Sequence, residues 1–215
     1  MKCCPCQGIE KLFGKRMASG DLKRYRKKGA TGATKVLLDA LGAQSVEGMT
    51  LLDIGGGIGA IQHELLKAGV ANATSVEAST AYMATAKEEV ERQGLVDRVA
   101  YHHGDFVDLA PEIAPADIVT LEKVICCYHD MPSLVGLSSA KASKFYGLVY
   151  PRYNIVSRMA FPILNLFLWG MRISMRLFLH SPKAVDAIVR ANGLEQRFYR
   201  KVWLWQVVVY GRDGA

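Results

Sequence analysis

The stretch Thr50–Gly59, reading Thr-Leu-Leu-Asp-Ile-Gly-Gly-Gly-Ile-Gly, limits what this chain can fold into more than any other segment. A short apolar run ends in an acid, passes through glycines, and continues as Ala60–Ala68, which has helical spacing and is closed by Gly69. Such a strand must bend sharply into a helix. The bend uses backbone conformations open mainly to glycine, and the first helical N–H groups are left pointing at the turn. The same alternation then repeats. Thr74–Glu77 reads as a second strand, Thr80–Gln93 as a helix, Arg98–His102 as a third strand and Asp117–Leu121 as a fourth. A helix over Met131–Ala142 and a fifth strand over Phe145–Tyr150 follow. After Lys183–Asn192, the β-rich runs Glu195–Val202 and Trp203–Gly211 have little between them. The expected class is therefore α/β, a Rossmann-like, doubly wound and mainly parallel sheet with a C-terminal antiparallel strand pair.

At 215 residues, half of them apolar and 22% charged, the chain suits one domain and excludes a disordered or fibrous protein. It divides into an N-terminal arm and helix (1–45), a ligand-binding core (46–150), a helical insertion on the acceptor side (151–180), and the last helix with its strand pair (181–215). Met1–Gly8 is too short and too cysteine-rich to supply the apolar stretch of a secretory leader, so none is expected. The longest apolar run, Met159–Met171, is broken by Pro162 and Asn165 and falls short of the roughly 20 residues of a spanning helix. The expectation is a cytoplasmic protein. Cys3, Cys4 and Cys6 lack the second cysteine pair that a metal site needs, so no metal is expected.

Acidic residues sit where an open sheet binds ligands. Glu77 ends the second strand, where a carboxylate can accept hydrogen bonds from two ribose hydroxyls. Asp105, in Gly104-Asp105-Phe106, follows the third strand, where it can meet an adenine amino group while Phe106 or a neighbour packs on the ring. Taken with Asp53-x-Gly55-x-Gly57-x-Gly59 and the closing strand pair, these features resemble the class I S-adenosylmethionine-dependent methyltransferases over about residues 45–215. The resemblance implies S-adenosyl-L-methionine as cofactor. It implies that Asp53, Gly55, Gly57, Gly59, Glu77, Asp105, Phe106 and Leu121 form the cofactor site. A nicotinamide-dependent oxidoreductase also uses a glycine turn and a second-strand acid, and Gly55-x-Gly57-x-x-Ala60 fits its permissive fingerprint. Asp53 argues against that reading, because it would face a pyrophosphate.

The segment Glu122-Lys123-Val124-Ile125-Cys126-Cys127-Tyr128 leaves the fourth strand and resembles the magnesium-protoporphyrin O-methyltransferases over residues 117–131. Tyr25, Tyr128 and His129 are the candidate catalytic residues. Tyr128 is equally readable as a core aromatic, and His129 as a helix cap or a solvated side chain. Cys126 and Cys127 read as small packing residues.

The net charge of +7 is segregated. Residues 36–140 carry five Lys/Arg and fifteen Asp/Glu, whereas 1–35 carry ten and two and 141–215 carry twelve and three. The first basic flank reads as a lid over the site or as a solvated helix. In the second, Arg158, Asn165, Arg172 and Arg176 are spaced to share one helical stripe, with Phe161, Leu164, Phe167, Leu168 and Trp169 around it. Residues 161–179 can pack on the sheet, cap a hydrophobic acceptor, form a homodimer or lie at a membrane periphery. Aromatics interleaved with aliphatics argue against a nucleic-acid partner. The expected activity is in-line methyl transfer to a hydrophobic, anionic small molecule, such as O-methylation of a carboxylate. The alternatives are a non-catalytic interaction or membrane-docking protein of the same fold and, behind it, an oxidoreductase or an RNA methyltransferase.

Overall fold

The structure is a computed structural model that describes residues 13–214. Two helices, α1 (Lys15–Lys28) and α2 (Gly32–Gly42), precede the sheet. The alternating region follows as β1 (Thr50–Ile54), α3 (Ala60–Lys67), β2 (Asn72–Glu77), α4 (Thr80–Arg92), β3 (Val99–His103), α5 (Phe106–Leu109) and β4 (Ala116–Glu122). It ends with α6 (Met131–Ala140), β5 (Ala142–Pro151), α7 (Ile155–Gly170), α8 (Pro182–Ala191), β6 (Glu195–Val202) and β7 (Trp205–Gly211).

The seven strands lie in the order β3-β2-β1-β4-β5-β7-β6. The first five are parallel, and β7 pairs antiparallel with both β5 and β6. Alternate residues face opposite layers, as a sheet covered on both faces requires. Leu52, Tyr146, Leu148 and Val208 join the core beneath α6 and α8, while Leu51, Phe145, Val149 and Val207 join the core beneath α2 and α3. The strand order reverses between β1 and β4. Ligands of open α/β sheets bind at such a switch point, beyond the carboxyl ends of the strands.

The expected alternation is present, with two differences. Helix α5 is a single turn, too short to leave a periodic pattern. The proposed stripe of Arg158, Asn165, Arg172 and Arg176 does not exist, because α7 stops at Gly170. Arg172 takes a left-handed φ of 54°, and the Ile173 N–H donates back to the Leu168 carbonyl at 3.0 Å. The chain then runs back along α7. The Asn165 side chain donates to Leu177 O at 2.8 Å and accepts from Leu177 N–H at 2.7 Å. Cys3, Cys4 and Cys6 lie outside the described residues.

Candidate active site

The glycine turn and the end of β2 form one unit. Gly55 has φ 65° and donates its N–H to Val76 O at 2.7 Å, and a Cβ there would come within 2.6 Å of Val124. Gly57, with φ 57°, donates its N–H to Glu77 Oε2 at 3.0 Å. Glu77 Oε1 accepts from Ser79 N–H at 2.8 Å. Burial pushes the Glu77 carboxyl pKa up, and the backbone donors of Ser79 and Gly57 oppose that shift. A carboxylate has about four lone-pair sites, so two backbone donors leave acceptor capacity for a ligand's hydroxyls.

Asp53 lies beneath the turn and is fully buried. Pairing of β1 with β4 sets Asp53 beside Thr120, whose hydroxyl donates to Oδ1 at 2.7 Å, while Gln62 Nε2 donates to Oδ2 at 3.1 Å. A Cβ on Gly56 would overlap this carboxylate, so the turn rests directly on it. Asp53 therefore supports the loop and forms no part of the cavity wall. Gly59, with φ 79°, opens α3 close against the His63 ring and is also off the wall. Leu121 is wholly buried in the core and does not reach the cavity.

Asp105 caps α5 by accepting from Val107 N–H at 2.9 Å, and its two oxygens accept from the Tyr128 hydroxyl at 3.0 and 2.9 Å. Asp105, Phe106 and Tyr128 all line the cavity. His129 is exposed, with its ring 5.2 Å from that of Tyr128, and it contributes nothing to the wall. Asp130, not His129, caps α6.

The arm closes over the site through hydrogen bonds and ion pairs. Tyr25 donates to Glu64 at 2.5 Å, Tyr82 donates to Asp21 at 2.6 Å, and Ser79 Oγ donates to the Phe13 carbonyl at 2.8 Å. The Arg26 guanidinium meets Glu89 at 2.8 Å and Glu88 at 3.0 Å. Arg26 is thereby committed to α4. Burial first, and its carboxylate partner second, push the pKa of both Tyr25 and Tyr82 well up, so each phenol stays a donor.

These parts enclose a cavity of about 380 Å³, within the range of ordinary ligand pockets. It runs from Gly55, Gly57, Glu77 and Asp105 to Phe13, Asp21, Tyr25 and Thr34 of the arm and α2, and to Glu122, Lys123 and Tyr128 beyond β4. No residue of 151–180 lines it. The helical insertion, expected on the acceptor side, contributes no residue to this cavity.

Glu122 and Lys123 are the functional candidates that sequence reasoning missed. Glu122 accepts from the Thr34 hydroxyl and lies 2.8 Å from Lys123 Nζ. Lys123 takes φ 61°, strained for a residue with a Cβ, and is held there by its N–H donating to Val149 O at 2.7 Å. Two charged residues ending the fourth strand were the available signal.

Residues 51–139 match the family model described as Methyltransferase domain. Over those residues the chain is similar to methyltransferase domains. A magnesium protoporphyrin IX methyltransferase from Synechocystis PCC 6803, solved with S-adenosylhomocysteine, is 14% identical with a TM-score of 0.70, and the match covers 95% of this chain and all of that one. The putative methyltransferase of a complex with the Haloferax volcanii Trm112 methyltransferase activator is 14% identical with a TM-score of 0.69, covering 97% of each chain. An O-methyltransferase family protein from Burkholderia thailandensis is 15% identical with a TM-score of 0.72, covering 96% of this chain and 64% of its own length. No curated protein sequence matches this one.

The domain's own residues fit S-adenosylmethionine. The left-handed glycines admit a ligand against bare backbone, Glu77 keeps acceptor capacity, and four carboxylates on the wall (Asp21, Glu77, Asp105 and Glu122) suit a sulfonium cation.

Proposed function

We propose that this chain methylates an oxygen of a hydrophobic, carboxylate-bearing small molecule. The observation that carries the reading is the continuity of one cavity, from the glycine turn and Glu77 to an acceptor end with apolar walls and two cations, Arg24 and Lys123. Glu77 would hold the cofactor ribose, Gly55 and Gly57 its methionine end, and Asp105 with Phe106 its adenine. When bound, the cofactor supplies an electrophilic sulfonium methyl, whose bond to sulfur breaks as the bond to oxygen forms. The chain's part is to place the acceptor in line and keep water out. A carboxylate acceptor is already ionised near neutral pH. No base is then required, which agrees with Tyr25 held protonated and with the Tyr128 hydroxyl committed to Asp105.

Magnesium protoporphyrin IX, the acceptor named for the Synechocystis structure, is large, apolar and anionic and is the first to try. With S-adenosylmethionine present, formation of its methyl ester is expected, and Lys123→Ala should raise KM for the acceptor about tenfold while changing kcat less. A folded, cofactor-binding chain that methylates no carboxylate of such acceptors would overturn the reading.

A further inference from the structure

Helix α7 faces the wrong way for a core helix. Only Ser157 and Leu168, about three turns apart on one stripe, are buried. On the other side Ile155, Met159, Ile163, Leu166 and Phe167 recur at helical spacing and are each about two-thirds or more exposed. Trp169 is 67% exposed beside them. Trp203, 80% exposed, tips the β6–β7 hairpin, which is tied to the chain entering α7: Arg152 N–H donates to Leu204 O at 2.9 Å and its guanidinium to Trp203 O at 3.1 Å. Helix α7 thus presents an outward apolar face, and the exposed Trp203 sits on the hairpin tied to the chain entering it.

Charge says what covers it. Between Asp130 and Asp186 there is no acidic residue and there are seven Lys/Arg, of which Arg152, Arg158, Arg172 and Arg176 flank or lie in α7 and the segment returning along it. A second copy seated on this face would bring two sets of like-charged guanidiniums together with no carboxylate from either segment. An anionic surface neutralises them. The helix spans about 24 Å, less than the roughly 30 Å hydrocarbon core, and no helix among the described residues is long and apolar enough to cross a membrane.

We infer that α7, with Trp203, lies in the interface of an anionic phospholipid bilayer. The apolar face enters the acyl boundary while the arginines meet the headgroups. This surface also adjoins the site. The segment after α7 is bonded to the turn Ile125–Cys127, with Phe178 N–H donating to Cys126 O at 2.7 Å and the His180 ring 2.8 Å from Ile125 O, and Val124, Cys127 and Tyr128 of that region line the cavity. Docking would set the acceptor end of the cavity near the bilayer.

The test is sedimentation of the full chain with vesicles of phosphatidylcholine alone and of phosphatidylcholine with phosphatidylglycerol. Partitioning to the anionic vesicles should exceed that to neutral ones at least tenfold and fall with added salt. Ile163→Asp/Phe167→Asp should lower it about tenfold or more, and Arg172→Gln/Arg176→Gln by a smaller factor. All four side chains lie off the cavity wall, so an unchanged affinity for S-adenosylmethionine shows that each variant is folded. The inference fails if the wild-type chain ignores anionic vesicles, if both variants partition as it does, or if the chain forms a dimer that Ile163→Asp/Phe167→Asp dissociates.

Discussion

At Asp53 a single side chain fixes both the loop and its response to pH. Burial pushes its pKa up to about 7, the Thr120 and Gln62 hydrogen bonds oppose the shift, and the charges of Glu122 and Glu77 add to it. In the unfolded chain this carboxyl ionises near its ordinary value, about 4. Its contribution to stability is therefore fully present below about pH 4 and is lost as pH rises to about 7. His63, fully buried with neither ring nitrogen hydrogen-bonded, has its pKa pushed down to about 4 by burial and slopes the other way, losing stability as pH falls from about 6.5. The two slopes offset each other in the wild-type chain, so Asp53 is isolated by a variant. Asp53→Asn should gain stability relative to wild type between pH 5 and pH 8, on the order of a few kcal/mol, measured by urea unfolding at each pH. A difference between the two proteins that does not change with pH would contradict this account. The acid in front of the glycines was legible in the sequence. Its place under the turn was not, because that depends on the register with Thr120 and on Gln62 from α3.

Among the elements, α1 is tied to α4 in part through Glu89, a fully buried side chain that accepts from Arg92, Gln93 and Arg26. Those donors, Arg92 foremost, hold its pKa down to about 2. Removing the charge while keeping the shape should free the arm: Glu89→Gln is expected to speed tryptic cleavage within α1 and to weaken S-adenosylmethionine binding about tenfold. Unchanged protection and affinity would mean that the arm is held by other contacts. The basic spacing of Lys15–Lys28 fits a lid and a solvated helix equally well, since the partner acids Glu64, Glu88 and Glu89 come from α3 and α4. Element types were readable wherever periodicity ran for two turns or more. The end of α7 was not, because continued apolar composition past Gly170 hides the left-handed residue at Arg172.

For the whole molecule, the segregated charge acquires a spatial meaning. The acidic middle supplies Glu77, Asp105 and Glu122 of the cavity wall, the first basic flank supplies Asp21 and, from residue 13 on, the arm over it, and the second includes an exposed apolar surface with arginines around it. The open sheet reverses its strand order where the glycine turn, Glu77 and Asp105 converge, and that convergence is the basis for assigning the cofactor. Calorimetric titration tests it most directly. S-adenosylmethionine should bind one to one, NAD should give no binding heat, and Glu77→Ala should weaken S-adenosylmethionine at least tenfold. A folded chain that binds NAD in preference to S-adenosylmethionine, or binds S-adenosylmethionine equally well without the Glu77 carboxylate, would contradict the assignment.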